Sequence, residues 1–493
     1  MSIEILDHRN PYDDFTPTVM VRKKKSALAV QQATRWALNF NGVNTFGQFV
    51  FKPIYVDGDQ RVVSFKTGPN HPANRSSAVL SHSAGATNGT REFLLVFNSN
   101  NTLSMNVGGS NVGNLLTSTQ SSTEVSAEHA GSRYSVSLNG VQVSNQELSK
   151  GSSRLNLLNI QTTLGASMTS AEGTNPSFFY QGFLFDFRIN DTFWPLNEPN
   201  QLIQLPVPSG LAPELILYPI DFTAVSAGVS MLGNLINFSN VGSWGGCNVN
   251  AAQPLKENYQ YLVEFDVSLV SGRWGMRLGI GGITSQLFEG SVSGRQRFLV
   301  TASFGNKGVQ LFSRQAGSSF TISNLSLRAL YDVAANTEVV KNGTFDTSTT
   351  SWGGNNLSAP RVVDGRIEFS TIPGQAPQSR VEQALTLDPG SWYLVTGDFI
   401  GATNNQFAEI GIIRNAAGTY RAIRAQRLTA PGKFHFIFRA MDSDAIISLR
   451  GSTSPSEEGT VTMDNISMVK IQTLCNPIVL QNVVPEQWQQ VPL

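Results

Sequence analysis

The octapeptide Phe320-Thr-Ile-Ser-Asn-Leu-Ser-Leu327 returns later in the chain as Val461-Thr-Met-Asp-Asn-Ile-Ser-Met468. Apolar and polar residues alternate in both copies, as in a strand with one face buried. Two further matches keep the same order: Ser243-Trp-Gly-Gly246 with Ser351-Trp-Gly-Gly354, and Tyr261-Leu-Val263 with Tyr393-Leu-Val395. Ordered self-similarity marks an internal repeat, here two related β-sandwiches in tandem. Strands of similar spacing joined by Gly-rich turns suit a jelly roll.

Outward from the repeat, period-two patterning dominates from about residue 36, as in Phe183-Leu-Phe-Asp-Phe-Arg-Ile189. The sequence therefore predicts an all-β protein of three β-sandwich domains with an N-terminal arm. One stretch, Ser26 to Trp36, reads as helical, because Leu28, Val30, Ala33 and Ala37 fall near one face and Gly and Pro are absent. It follows the basic run Arg22-Lys-Lys-Lys25. Pro195, Pro199, Pro206, Pro208, Pro213 and Pro219 interrupt any strand ladder by removing donors. The expected division is a docking arm over 1–34, a first sandwich over 35–196, and a semi-rigid Pro-rich linker over 197–221. Two jelly rolls over 222–333 and 334–472 and a C-terminal tail over 473–493 complete it.

The 493 residues carry 35 basic and 35 acidic side chains, a formal charge of zero, which excludes the electrostatic footprint of a general nucleic-acid binder. Charged residues make up 14%, against about 25% in average chains, so the surface is polar but mostly uncharged. No apolar run approaches the roughly 18 residues of a membrane span. The opening Met1-Ser-Ile-Glu-Ile-Leu-Asp-His-Arg-Asn10 lacks the basic and then apolar segments of a secretory signal. Cys247 and Cys475 are far apart and read as free thiols in packing roles.

The ordered elements Ala37-Leu-Asn-Phe-Asn-Gly42, Phe93-Leu-Leu-Val-Phe97, Tyr134-Ser-Val-Ser-Leu-Asn-Gly140 and Gly182-Phe-Leu-Phe-Asp-Phe-Arg-Ile189 resemble a laminin-G or concanavalin-like domain. Val339-Val-Lys-Asn-Gly-Thr-Phe345, the following Trp352 and the closing Met463-Asp-Asn-Ile-Ser-Met468 resemble family 4/9 carbohydrate-binding modules. The second sandwich matches only the Trp and the closing strand. It has Ser323 where the third has Asp464. By that resemblance Asp464, with carbonyls near Asn342 and Thr344, could take calcium. Asp57 and Asp59 are a weaker oxygen cluster, read first as a solvated turn.

Sugar recognition needs flat aromatic faces beside planar polar groups. Trp274, in Ser271-Gly-Arg-Trp-Gly-Met276, and Trp392, in Pro389-Gly-Ser-Trp-Tyr393, are the candidate platforms, each weighed against core burial. Trp244 and Trp352 are expected to be structural, since both copies of the repeat keep them. No hydrolase, zinc or phosphate-loop motif occurs. Glu264 and Asp266 share a strand face and read as solvated rather than as a glycosidase pair.

An arm followed by a laminin-G-like domain and carbohydrate-module-like sandwiches resembles bacteriophage tail fibres and other virion structural proteins. The expectation is a non-enzymatic virion component, made in the host cytoplasm, anchored to other virion proteins through residues 1–34 and the C-terminal tail. It would form a homo-oligomer and contact host-surface glycans or proteins, where several copies make weak sugar binding effective. The alternative is a free carbohydrate-binding lectin or accessory module.

Overall fold

The computed structural model describes residues 34–51, 61–68, 76–83, 91–97, 103–107, 110–114, 123–130, 133–147, 162–168, 176–199, 201–207, 209–280, 285–355, 360–371, 380–404, 408–416, 419–440, 443–451 and 458–492. The expected arm up to residue 33, the Arg22–Lys25 run and the Asp57–Asp59 turn lie outside these. Among the described residues the regular elements are β-strands and one 3-10 turn, so the chain is all-β. No helix there is long and apolar enough to cross a membrane.

The expected helix to Trp36 is corrected at its C-terminal end. Thr34–Asn41 is a strand flanked on both sides, by Gln181–Ile189 and Trp488–Pro492. Leu38 and Phe40 point into the first core, while Ala37 packs on the other face against Phe185 and Val491. Burial on both faces hid the alternation that would have announced a strand.

The first sandwich stacks two large sheets. One runs Val141–Glu147, Arg133–Leu138, Thr123–Ala130, Arg61–Thr67, Gln181–Ile189, Thr34–Asn41, Trp488–Pro492; the other runs from Ile203–Gln204 through Ile478–Gln481, Phe46–Phe49, Thr162–Leu164 and Ser77–Ser83 to Ser110–Asn114. The expected C-terminal tail is therefore not a free arm. It supplies one strand to each sheet, and Ile478, Leu480 and Trp488 are buried in the core. Gln487 anchors it, donating from Nε2 to Asn39 O at 2.9 Å and to Thr45 Oγ1 at 2.7 Å.

The second and third sandwiches each pair two sheets in the same topological order. In the second, Val229–Leu232, Leu235–Val241, Ser318–Ala329, Gln260–Ser271 and Gly294–Thr301 face Phe222–Ala224, Gly246–Asn250, Gly308–Ser313, Trp274–Gly279 and Phe288–Gly290. In the third, Arg361–Val363, Arg366–Thr371, Gly459–Leu474, Trp392–Thr403 and Gly432–Arg439 face Gly353–Asn355, Arg380–Thr386, Asp444–Arg450, Ala408–Ala416 and Thr419–Leu428.

Equivalence extends to single hydrogen bonds. Tyr261 accepts the Lys256 amide at 2.8 Å, and Tyr393 accepts that of Asp388 at 2.9 Å. Asn324 donates to Asp266 at 2.6 Å and Asn465 to Asp398 at 2.8 Å, each Asn at φ 51° where the closing strand shifts register. At the entrance to each sandwich a glutamate clamps the closing strand. Glu214 accepts the amides of Ile216 and Leu327 and the Ser326 hydroxyl; Glu338 accepts those of Val340 and Met468 and the Ser467 hydroxyl.

The first clamp corrects the expected linker. Its prolines prevent long ladders, but Ala212, Ile216 and Ile220 are buried in the second core. Glu198 from the same stretch pairs with Arg297. The three units also share an apolar junction in which Phe51 of the first meets Leu262 and Leu330 of the second and Tyr331, Leu394, Ile437 and Ile471 of the third. Cys475 is buried there and Cys247 in the second core, and burial pushes both thiols up to about 12.

Candidate functional site

On the outer face of the sheet Gly246–Asn250, Gly308–Ser313, Trp274–Gly279, strand register sets residues in rows. One row is Gly246, Phe312, Gly275, so an aromatic is flanked by two glycines. A Cβ at Gly275 would lie 2.5 Å from the Phe312 ring, and one at Gly246 2.7 Å from Phe312 Cβ. The glycines thus let Phe312 lie down on the sheet. The next row is Asn248, Gln310, Arg277. Arg277 Nε donates to Gln310 Oε1 at 2.8 Å and Gln310 Nε2 to Asn248 Oδ1 at 3.0 Å, a relay that fixes three planar polar groups in one surface.

Trp244 lies on Phe312 with ring centroids 5.2 Å apart and planes 22° apart. The Arg314 guanidinium carbon is 3.8 Å from the indole centroid. Arg314 is held in turn by Glu289 at 2.5 Å, which also takes Arg273 at 2.7 Å. The Arg314 hydrogen bond, helped by the Arg273 charge, holds the Glu289 carboxyl below the usual carboxylate range. Trp244 nevertheless remains 55% exposed. Its φ is +65°, an outlier for a bulky residue, held by Trp244 N–H to Ser313 O at 2.7 Å. A half-exposed indole held beside Phe312 and the Arg314 guanidinium, next to a planar amide and guanidinium row, brings together the groups that sugar-ring stacking and hydroxyl recognition use.

The sequence candidates fall elsewhere. Trp274 is 2% exposed, edge-on to Phe265 at 5.5 Å, and donates Nε1–H to Val292 O at 3.2 Å. It alternates inward with Met276 and Leu278, so Gly275 beside it serves the opposite face and Trp274 is a core residue. Trp392 is partly buried against the three-way junction and offers no platform there. Glu264 is covered rather than solvated, taking Arg297 Nε at 2.8 Å, and Asp266 lies 3.4 Å from Arg295.

Trp244 and Trp352, both expected to be structural, differ in burial. The strand that Trp244 precedes, Gly246–Asn250, is second in its sheet, whereas Trp352 precedes the edge strand Gly353–Asn355. The two Ser-Trp-Gly-Gly motifs are not equivalent positions. Trp352 is buried, donating Nε1–H to the carbonyls of Lys341 and Asn342 at 3.1 and 3.2 Å. Among the described residues the corresponding outer face of the third sandwich has no aromatic row. It carries Arg380, Arg450 and Glu409 in register, with Arg450 buried.

The two residues named for calcium are engaged in local hydrogen bonds. The Asn342 carbonyl accepts from Trp352, and its Nδ2 donates to Ser348 O and Thr350 O at 2.8 and 3.1 Å, so the residue closes a turn. Both Asp464 oxygens accept from Asn465, at 2.7 and 3.3 Å. Burial raises the Asp464 carboxyl, and the Asp398 and Asp346 charges add to this. Among the described residues no three His, Cys, Asp or Glu side chains converge on a metal position.

No family model and no curated protein sequence matches the chain. Solved structures similar to parts of it include a CBM4 module at 18% identity, covering 27% of this chain and 99% of that one with a TM-score of 0.22. A heptameric SAP-like pentraxin from Limulus polyphemus matches at 17% identity over 31% of this chain and 75% of that one, TM-score 0.25. The enzymatically active domain of tailspike protein 4 from bacteriophage CBA120 matches at 13% identity over 27% and 21%, TM-score 0.21.

Proposed function

We propose that the chain is a non-catalytic glycan-binding protein whose binding face is the Trp244–Phe312–Arg314 stack and the adjoining Asn248–Gln310–Arg277 row. The exposure of Trp244 on that stack carries the reading. The low charge density of the chain directs it to neutral polysaccharides. The protein works on a virus particle, where residues 1–34 dock it to other virion proteins and several copies act together on host-surface glycans. This second part rests on the sequence, on the polar arm with Arg22–Lys25 ahead of three sandwiches.

Affinity electrophoresis of the full chain through gels cast with neutral polysaccharides tests the binding reading. Retardation by at least one of them, lost in Trp244→Ala, is expected; equal mobility of both proteins in every gel removes the platform. Immunogold labelling of purified particles with an antibody to residues 222–472 tests the second part, and unlabelled particles would leave a free lectin.

A further inference from the structure

We infer that the first sandwich carries a separate site for a carboxylate-bearing sugar, a cavity of about 430 Å³ on the outer face of the strands Thr123–Ala130, Arg61–Thr67 and Gln181–Ile189. Register builds it. Glu124 pairs with Lys66 and Lys66 with Phe185; Ser126 pairs with Ser64, Ser64 with Arg188, and Arg188 with Phe193. Between these two rows the strand Gln181–Ile189 bulges, with two residues against one of its partner. Asp186 stands at the bulge with φ 50°. Leu184, Phe187 and Ile189 point into the first core, whereas Phe185 packs with the outer cluster. The extra residue thus adds Asp186 to the outer face beside Phe185. A bulge that re-aims a charged side chain into a cavity is a built feature of the sheet.

The lining sorts into complementary groups. Lys66 Nζ lies 3.4 Å from Asp186 Oδ2. Arg188 rests its guanidinium carbon 4.4 Å from the Phe193 ring centroid. Among the described residues no carboxylate pairs with Arg188, so its planar fork of donors faces the cavity unengaged. That fork matches a carboxylate in bidentate geometry. Glu124, Asp186 and Asn197 present acceptor oxygens on the same walls, which suit sugar hydroxyls. A phosphate dianion would meet the two carboxylates without hydroxyl donors to satisfy them, and an acidic peptide side chain brings none beside its carboxylate. A uronic-acid type of residue supplies both, and the volume lies within the range of small-ligand sites.

The test is ligand-observed NMR of the full chain with D-glucuronate, D-glucose and inorganic phosphate. Saturation transfer to glucuronate, weaker for glucose and absent for phosphate, is expected. Arg188→Ala and the fold-conserving Arg188→Lys, which keeps the charge but loses the fork, each lower glucuronate affinity by about tenfold. Trp244→Ala leaves it unchanged. The inference is overturned if the wild type gives no glucuronate signal, if glucose or phosphate is preferred, if the Arg188 variants bind as well as wild type, or if the signal follows Trp244 instead.

Discussion

Gly275 stands beside Phe312 so closely that a single added Cβ would come within 2.5 Å of its ring, and the exposed indole of Trp244 rests on that ring. The platform therefore depends on a residue with no side chain, on a strand whose other face forms part of the second core. Gly275→Ala should tilt Phe312 off the sheet, costing about 1–3 kcal/mol as overpacking does, and should weaken polysaccharide retardation. Thermal melts and affinity gels read the two effects. A stable Gly275→Ala protein that binds unchanged would separate Phe312 from recognition.

Trp244→Ala should leave stability nearly intact, because the side chain is more than half exposed. Glycan affinity should fall by about two- to tenfold, the scale of a lost aromatic stack of roughly 0.5–1.5 kcal/mol. Trp274→Ala should behave in the opposite way, costing about 3–5 kcal/mol through the void it leaves. Chemical denaturation and calorimetric titration of both variants check the contrast.

The glutamate clamp predicts a pH dependence. Burial pushes the Glu214 carboxyl up, but the Ser326 hydroxyl, the Leu327 and Ile216 amides and Arg328 outweigh it and hold it below its ordinary 4.5. A depressed folded pKa gives stability that is present above the unfolded value and lost as pH falls through the folded one. Glu214→Gln should therefore cost about 1–3 kcal/mol at pH 7 and progressively less below pH 4.5. Urea midpoints across that window decide; a cost independent of pH would mean the carboxylate charge is irrelevant.

Asp464 predicts the reverse sign. Its folded carboxyl is raised by burial first, with Asp398 and Asp346 adding, so its contribution is lost as pH rises through the folded value. Asp464→Asn should melt higher than wild type at pH 7 and lose that advantage as pH drops below 3.8, the ordinary value for the group. Millimolar calcium should leave both proteins unmoved. A wild-type melting temperature raised by calcium and insensitive in the variant would reinstate the metal.

Removing residues 476–493 should unfold the first sandwich and spare the other two. The deletion takes one strand from each of its sheets, along with Ile478, Leu480 and Trp488 from its core. Loss of the first-sandwich amide signals with retention of those from the second and third is the expected spectrum.

What the sequence disclosed and what it hid divide along physical lines. The closing strands Phe320–Leu327 and Val461–Met468 were legible because both alternate on sheets with one buried face, and Tyr261 and Tyr393 because both make the same local bond. The C-terminal strands were not, because Trp36 pairs with Gln490 across nearly the whole chain and nothing local marks such a partner. The Pro-rich stretch misled because missing donors forbid ladders but not burial of Ile216 and Ile220. A four-residue match does not make two positions equivalent, so the Ser-Trp-Gly-Gly repeat conceals the exposure of Trp244. Gly246, two residues on, was the available signal, since its missing side chain leaves room for the flat seat of Phe312.

The most direct measurement is titration of the full chain with a neutral polysaccharide fragment while following the assigned indole Nε1–H signals. The Trp244 signal should shift to saturation while those of Trp274 and Trp352, committed to Val292 and to Lys341 and Asn342, stay fixed. A bound fragment that leaves the Trp244 signal unmoved would contradict the account.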